Sequence, residues 1–324
     1  MDPIAKRFKE LNIAENQIRF FTDFIEGFRI EAPKSGAPKT LIDEIIDQFA
    51  TLVIKEWKEK TPFNPYNPRK TSPVNYTEFA KNLIGSTIDI RSSKIFHKEN
   101  LAEIQEALER GENVILFANH QIEPDPQVLQ ILLENEELPF ANDVIFVAGD
   151  RVINDPMSIP LSLGCNLLCI YSRKYMDDSP EDKEMKLLHN RKTMREMGSI
   201  LDEGGHIIYV APSGGRDRKN PDGTITPALF DPNSIEMFHL MSRQAKKITN
   251  FYPLALSTYD LLPPPQESHK ELGEVRIPAF SPAYLSFGNK ISFDPYPHLS
   301  KKEARVKRAE SIYADVLNLY KNLP

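Results

Sequence analysis

Apolar residues in the N-terminal part of the chain recur at three- and four-residue intervals. In QIRFFTDFIEGF and TLIDEIIDQFATLVIKEWKEK this spacing predicts two helices, each with an apolar stripe, separated by a break at EAPKSGAPK. The Pro- and Asn-dense TPFNPYNPRKTSPVNYTEF predicts a connector with no regular element. A domain boundary is therefore placed near residue 75, giving an N-terminal helical-bundle domain over 1–75 and a second domain over 76–324.

Beyond that boundary the pattern changes to short apolar runs. Strands are predicted at 113–118, 144–149, 167–171, 206–211, 252–258 and 285–293, with helical patterns such as PQVLQILLENEE and EMKLLHNRKTMREMGSILDEG between them. Near-continuous apolar strands alternating with helices predict an α/β fold with a largely parallel mixed sheet flanked by helices. In such sheets ligands bind beyond the carboxyl ends of the strands. His120, Arg173, Lys174 and the SGGRDR segment each follow a predicted strand, so they should meet on one rim.

Composition narrows the setting. The chain has 324 residues, 40% hydrophobic and 27% charged, as a soluble globular protein would. It has no apolar run of the roughly 18 residues that cross a bilayer. Its first residues carry acids and lack the apolar core of a signal peptide. Two cysteines, Cys165 and Cys169, are too few for a disulfide framework and read as reduced packing thiols. A cytoplasmic location is expected, and a trimmed plastid-stroma chain would look the same. The formal charge of -6 gives no reason to expect nucleic acid. The seven histidines include no HxH or HxxxH pair, so no metal site is expected.

Three rim segments carry chemistry. NVILFANHQIEPDP runs from a buried strand into a helix start at Asp125-Pro126, where Asp is expected to cap the free amides. The same Asp125, five residues after His120, is close enough in sequence to fix the imidazole tautomer for general-base work. VAPSGGRDRKNPDG turns through two glycines and presents Arg216, Arg218 and Lys219, and guanidinium forks suit phosphate. CIYSRKYM adds Arg173 and Lys174. Each segment alone also fits a solvated turn or a helix cap.

Together they are more specific. NHQIEPDP holds the H-x4-D pattern of glycerolipid acyltransferases. AGDRVINDP, NLLCIYSRKYM, YVAPSGGRDR and FYPLALSTYDLLPPP follow in an order and spacing that resembles the soluble, plastid-type glycerol-3-phosphate acyltransferases over most of the chain. The resemblance implies His120 as general base, Asp125 as its orienting partner, and Lys174, Arg216 and Arg218 as the grip on the phosphate of glycerol 3-phosphate. Tyr175 departs from the pattern, where relatives often carry histidine; a phenol still donates to a phosphate oxygen but brings no charge. The implied reaction moves an acyl group from a thioester of acyl carrier protein or CoA to the sn-1 hydroxyl, and it uses no cofactor. Basic SKKEARVKRAE (300–310) and Lys246-Lys247 are candidates for steering an acidic carrier, and SIPLSLGCNLL (158–168) for lining an acyl channel. Product release leaves room for a transient membrane-surface contact. Glu123 stays open between function and helix support.

Two other readings stand beside this one. APSGG approaches a nucleophile elbow, making Ser213 an esterase nucleophile with Asp260 and His269 downstream. A phosphate-ester binding protein would keep the cations and leave His120 idle.

Overall fold

The structure, a computed structural model, describes residues 7–8, 11, 13, 15–172, 180–264, 276–293 and 296–324. Along the chain come α1 (Glu15–Glu31), α2 (Lys39–Lys58), β1 (Tyr66–Asn67), α3 (Tyr76–Gly85), β2 (Lys94–Phe96), α4 (Lys98–Glu109), β3 (Asn113–Ala118) and α5 (Asp125–Asn135). Then follow β4 (Ile145–Ala148), the short α6 (Arg151–Asn154) and α7 (Ile159–Ser162), β5 (Asn166–Cys169), α8 (Lys183–Glu203) and β6 (Ile207–Val210). The chain closes with β7 (Arg218–Lys219), β8 (Ile225–Thr226), α9 (Pro232–Gln244), β9 (Thr249–Ser257), β10 (Tyr284–Phe287) and α10 (Lys301–Lys321).

Eight strands form one sheet in the order β1-β5-β4-β6-β3-β9-β10-β2, and β7 and β8 make a separate small ladder. The central run β5-β4-β6-β3-β9 is parallel throughout. At its edges β1 joins β5 and β10 joins β9 antiparallel, while β2 runs parallel to β10. This is the predicted α/β architecture, and β3 occupies the predicted residues 113–118.

The central sheet is buried on both faces because its strands are apolar at most positions. Val114, Leu116 and Ala118 of β3 enter one apolar cluster, and Ile115 and Phe117 enter the other. The second cluster is closed by Met197 and Leu201 of α8, Ile235 and Phe238 of α9, and Ile312 and Val316 of α10. The first runs without a break into the N-terminal helices. Phe21 of α1 and Phe49 of α2 lie 5.2 Å apart between ring centres, and Phe49 and Phe79 of α3 lie 5.9 Å apart. Lys55 of α2 also donates to the Tyr76 hydroxyl at 3.3 Å.

Two expectations need correction. The connector before residue 75 is not wholly irregular, because Tyr66–Asn67 forms an edge strand whose register sets Tyr66 opposite Leu168. Its Pro and Asn density hides this, since an edge strand of two residues tolerates both. The strand predicted over 285–293 ends at Phe287. Gly288 is pressed on Pro253 so closely that a Cβ there would come within 2.5 Å of the proline Cγ. Beyond that contact the chain stays beside β9, with Ile291 N–H donating to Phe251 O at 2.7 Å and the Phe293 ring 4.8 Å from that of Phe251. Among the described residues no helix is long and apolar enough to cross a membrane.

Candidate active site

The parallel strands β3, β5, β6 and β9 end on one rim, and β9 runs farther than β3. Ala118, the last residue of β3, faces Leu254, which leaves Ser257 three residues beyond the shared ladder. Side-chain amides continue the pairing there. Asn119 Oδ1 accepts from Leu256 N–H at 2.8 Å while its Nδ2 donates to Leu256 O at 3.0 Å. Gln121 Oε1 accepts from the N–H groups of Thr258 at 2.7 Å and Tyr259 at 3.0 Å. Both side chains are fully buried, and they hold the intervening His120 at the rim.

His120 Nδ1 lies 2.8 Å from Asp125 Oδ2. The same oxygen accepts from Gln121 N–H at 2.7 Å and Ile122 N–H at 3.3 Å, and Oδ1 accepts the Thr258 hydroxyl at 2.6 Å. The carboxylate therefore turns back on the loop that precedes it. The expected cap is corrected: α5 has no side-chain cap, and Asp125 is its first helical residue. With Asp125 accepting at Nδ1, the lone pair is left on Nε2. The imidazole is 29% exposed and its partner carboxylate is 0% exposed, so solutes reach the ring and not the acid. Such a pair can take a proton from a bound hydroxyl and return it.

The Gly-rich loop after β6 is fastened to this one. Asp217 donates its N–H to His120 O at 2.6 Å, and its carboxylate accepts from Asn119 Nδ2 and Ala228 N–H, each at 2.8 Å. Burial pushes the Asp217 carboxyl up to about 6, against the opposing pull of the Asn119 hydrogen bond. Its neighbour Arg216 pairs with Glu123 from the His120 loop, and Arg276 Nε donates to the other Glu123 oxygen at 3.1 Å. Burial would raise the Glu123 carboxyl, but the Arg276 hydrogen bond and the charges of both arginines overcome it and bring it down to about 2.

Of the residues expected in the site, the fold brings His120, Asp125 and Arg216 together. Arg218 follows Asp217 at the start of β7, half-buried. Arg173, Lys174 and Tyr175 lie outside the described residues. The esterase alternative finds little here: the Ser213 hydroxyl donates to Gly215 O at 2.9 Å, Asp260 is exposed, and His269 lies outside the described residues. Sequence reasoning missed Thr258, Asp217, Gln121 and Arg276. The first three do carry a local signal, being polar residues that directly flank an apolar strand or a rim motif; Arg276 carries none. Among the described residues, no three His, Cys, Asp or Glu side chains group as a metal site. Burial raises both thiols, Cys165 and Cys169, to about 12, which makes them inert packing groups. A cavity of about 250 Å³ lies apart from this rim, between residues 288–293 and α10.

The chain is also similar in sequence to known proteins. An Acyltransferase family model matches residues 99–255. The chain is 35% identical over 292 residues to "Glycerol-3-phosphate acyltransferase, chloroplastic" of Arabidopsis thaliana, covering 89% of this chain and 63% of that protein. It is 35% identical over 324 residues to the protein of the same name in Phaseolus vulgaris, covering 98% of this chain and 70% of that one. The chain thus spans 63% and 70% of the length of these two relatives. A crystal structure of the 1-acyl-sn-glycerophosphate (LPA) acyltransferase of Thermotoga maritima aligns at 18% identity and a TM-score of 0.40, covering 75% of this chain and 78% of that one. By its identity to relatives along nearly its whole length, the chain belongs to the glycerol-3-phosphate acyltransferase family.

Proposed function

We propose that the chain transfers a fatty acyl group from an acyl thioester to the sn-1 hydroxyl of glycerol 3-phosphate, giving 1-acyl-sn-glycerol 3-phosphate, the first step of phospholipid synthesis. One observation carries the reading. A histidine aimed by a buried carboxylate shares its loop with Glu123, and Glu123 pairs with Arg216 from the next rim loop. A carboxylate-paired imidazole and a guanidinium on one rim support reading them as the base and the anion-binding cation.

In the proposed reaction His120 Nε2 takes the hydroxyl proton as that oxygen attacks the thioester carbonyl. The tetrahedral oxyanion collapses, the carbon–sulfur bond breaks, and the imidazolium returns its proton to the departing thiolate. Asp125 holds the ring's tautomer and stabilises the imidazolium. Arg216 and Arg218, with Lys174 and Tyr175, hold the phosphate, so that binding fixes which hydroxyl faces the base. No acyl-enzyme forms. Acyl carrier protein is the proposed donor, with acyl-CoA as the alternative. In the carrier reading Lys301, Lys302 and Lys307, exposed at the start of α10, steer the acidic partner.

The test is His120→Ala. Turnover should fall on the order of 10²–10⁴-fold, while glycerol 3-phosphate binding measured by calorimetry is retained. Arg216→Ala should instead act mainly on KM for glycerol 3-phosphate. Retained turnover in His120→Ala would refute the acyltransfer mechanism and leave a binding protein.

A further inference from the structure

Helix α8 presents an unusual outer face. Its inner face is buried through Thr193, Met197, Ile200 and Leu201. On the outside, Leu188 is 51% exposed, Met185 49% and Leu187 41%. Arg191, Lys192 and Arg195 are exposed beside them, and from Met185 to Arg195 the sequence contains no acid. At 100° per residue, Leu187, Leu188, Arg191, Lys192 and Arg195 share the side opposite the buried one with a single acid, the exposed Glu184 at the helix start, so the face keeps a net charge of +2. Three exposed large apolar groups among three cations, on a chain of net charge -6, are costly in water and suited to an anionic, apolar-backed surface.

The face is anchored at the rim that carries the candidate active site, three strands along the sheet from β3. The same helical turns are bolted to the carboxyl end of β5. His189 Nε2 lies 2.9 Å from Cys169 O, Thr193 donates its hydroxyl to the same oxygen at 2.7 Å, and Asn190 Oδ1 accepts from Tyr171 N–H at 2.8 Å. Lys186 Nζ lies over the Tyr171 ring at 5.9 Å. β5 ends on the rim that carries His120, so a surface resting on this face lies beside that rim.

We propose that the N-terminal half of α8 is a lipid-surface docking face that seats the rim against an anionic bilayer. This rests on the acyltransferase reading only for its purpose. The product of that reaction has one acyl chain and a phosphate head, partitions into lipid, and would pass straight into the surface the enzyme rests on. Leu187, Leu188 and Met185 enter the headgroup region, while Arg191, Lys192 and Arg195 pair with lipid phosphates.

The full chain should co-sediment with vesicles of phosphatidylcholine containing anionic phosphatidylglycerol, and not with phosphatidylcholine alone. Adding salt should weaken the binding. The triple variant Arg191→Glu/Lys192→Glu/Arg195→Glu should lower the partition coefficient on the order of a hundredfold. Leu187→Ser/Leu188→Ser should lower it on the order of tenfold. All these positions are exposed, so both variants should keep the wild-type unfolding midpoint and wild-type turnover with a short-chain, water-soluble thioester. Wild-type protein that ignores anionic vesicles would overturn the proposal, as would variants that bind them undiminished. So would a triple variant that binds vesicles normally but has a raised KM for a carrier-linked donor, since the face would then dock a protein. The vesicle assay needs no substrate, so its failure is separate from any failure of His120→Ala to lose activity.

Discussion

The backbone N–H of Asp217 donates to the carbonyl oxygen of His120 at 2.6 Å, joining the loop after β6 to the loop after β3. The Asp217 side chain repeats the link through Asn119 Nδ2 at 2.8 Å. Arg216 and Arg218 flank this anchor, so their distance from His120 is set by a fully buried carboxylate.

That anchor predicts a pH dependence of stability. Asp217 titrates near 6 in the folded chain because of its burial, and near 4 when unfolded. Between those values the native state holds more protons than the unfolded state, so stability falls as pH rises from about 4 to about 6 and is level above. The contribution is about 3 kcal/mol at most. In Asp217→Asn this slope should vanish. Urea unfolding of both proteins at pH 4, 5, 6 and 7 measures it as the difference between their curves. Glu123, depressed to about 2, acts between about 2 and 4.5, overlaps only the low edge of this window and, being present in both proteins, cancels in the comparison. Parallel curves would mean that Asp217 titrates normally.

Thr258 offers a cleaner probe of the proposed catalytic pair, His120 and Asp125, than either of its members. Its hydroxyl donates to Asp125 Oδ1 at 2.6 Å, and valine keeps the shape while removing that donor. Thr258→Val should cost about 1–3 kcal/mol of stability, because a buried carboxylate oxygen loses its partner. It should lower kcat more than KM, because the substrate grip is untouched. Asp125→Asn should go further, lowering kcat on the order of 10³–10⁴-fold as the imidazole loses its tautomer. Calorimetric unfolding and initial rates separate the two effects.

Ser213→Ala tests the esterase alternative. The hydroxyl makes one hydrogen bond, to Gly215 O, within its own turn. Removing it should leave acyl transfer unchanged and shift stability by no more than about 0.5 kcal/mol. Lost activity, or labelling of Ser213 by a fluorophosphonate, would restore a nucleophilic serine.

Local pattern made much of this visible in the sequence. β3 is apolar at all but its first position and lies where the run of apolar residues predicts, and His120 follows it at the rim. Other features depend on partners far along the chain. Asp125 reads as a helix cap because sequence spacing does not tell which way a carboxylate turns. The end of β10 depends on Gly288 meeting Pro253, and β1 exists only because β5 offers it an edge. Arg276 reaches Glu123 across 153 positions, in a segment with no periodicity and no motif. Arg216 and Arg218 stand out in the sequence as guanidinium groups after a strand and a Gly-rich turn, whereas the carboxylate that joins Arg216 to Arg276 emerges only from the fold.

Glu123 and its two arginines give the sharpest test of the proposed anion site. One carboxylate pairs with both cations, so the trio carries a net charge of +1. Glu123 is its most exposed member at 30%, against 10% for Arg216 and 11% for Arg276. Arg276→Ala leaves Glu123 to cancel Arg216 one for one. KM for glycerol 3-phosphate should then rise by about 10- to 100-fold, the worth of a charge-assisted hydrogen bond, with kcat changed far less. Adding Glu123→Gln in that background removes the cancelling charge and should recover about tenfold of the loss, a coupling that a double-mutant cycle reads directly. If the double variant is no better than Arg276→Ala, Glu123 serves to aim the arginines and does not oppose the phosphate. If Arg276→Ala leaves KM unchanged, Arg276 braces the loop and takes no part in binding.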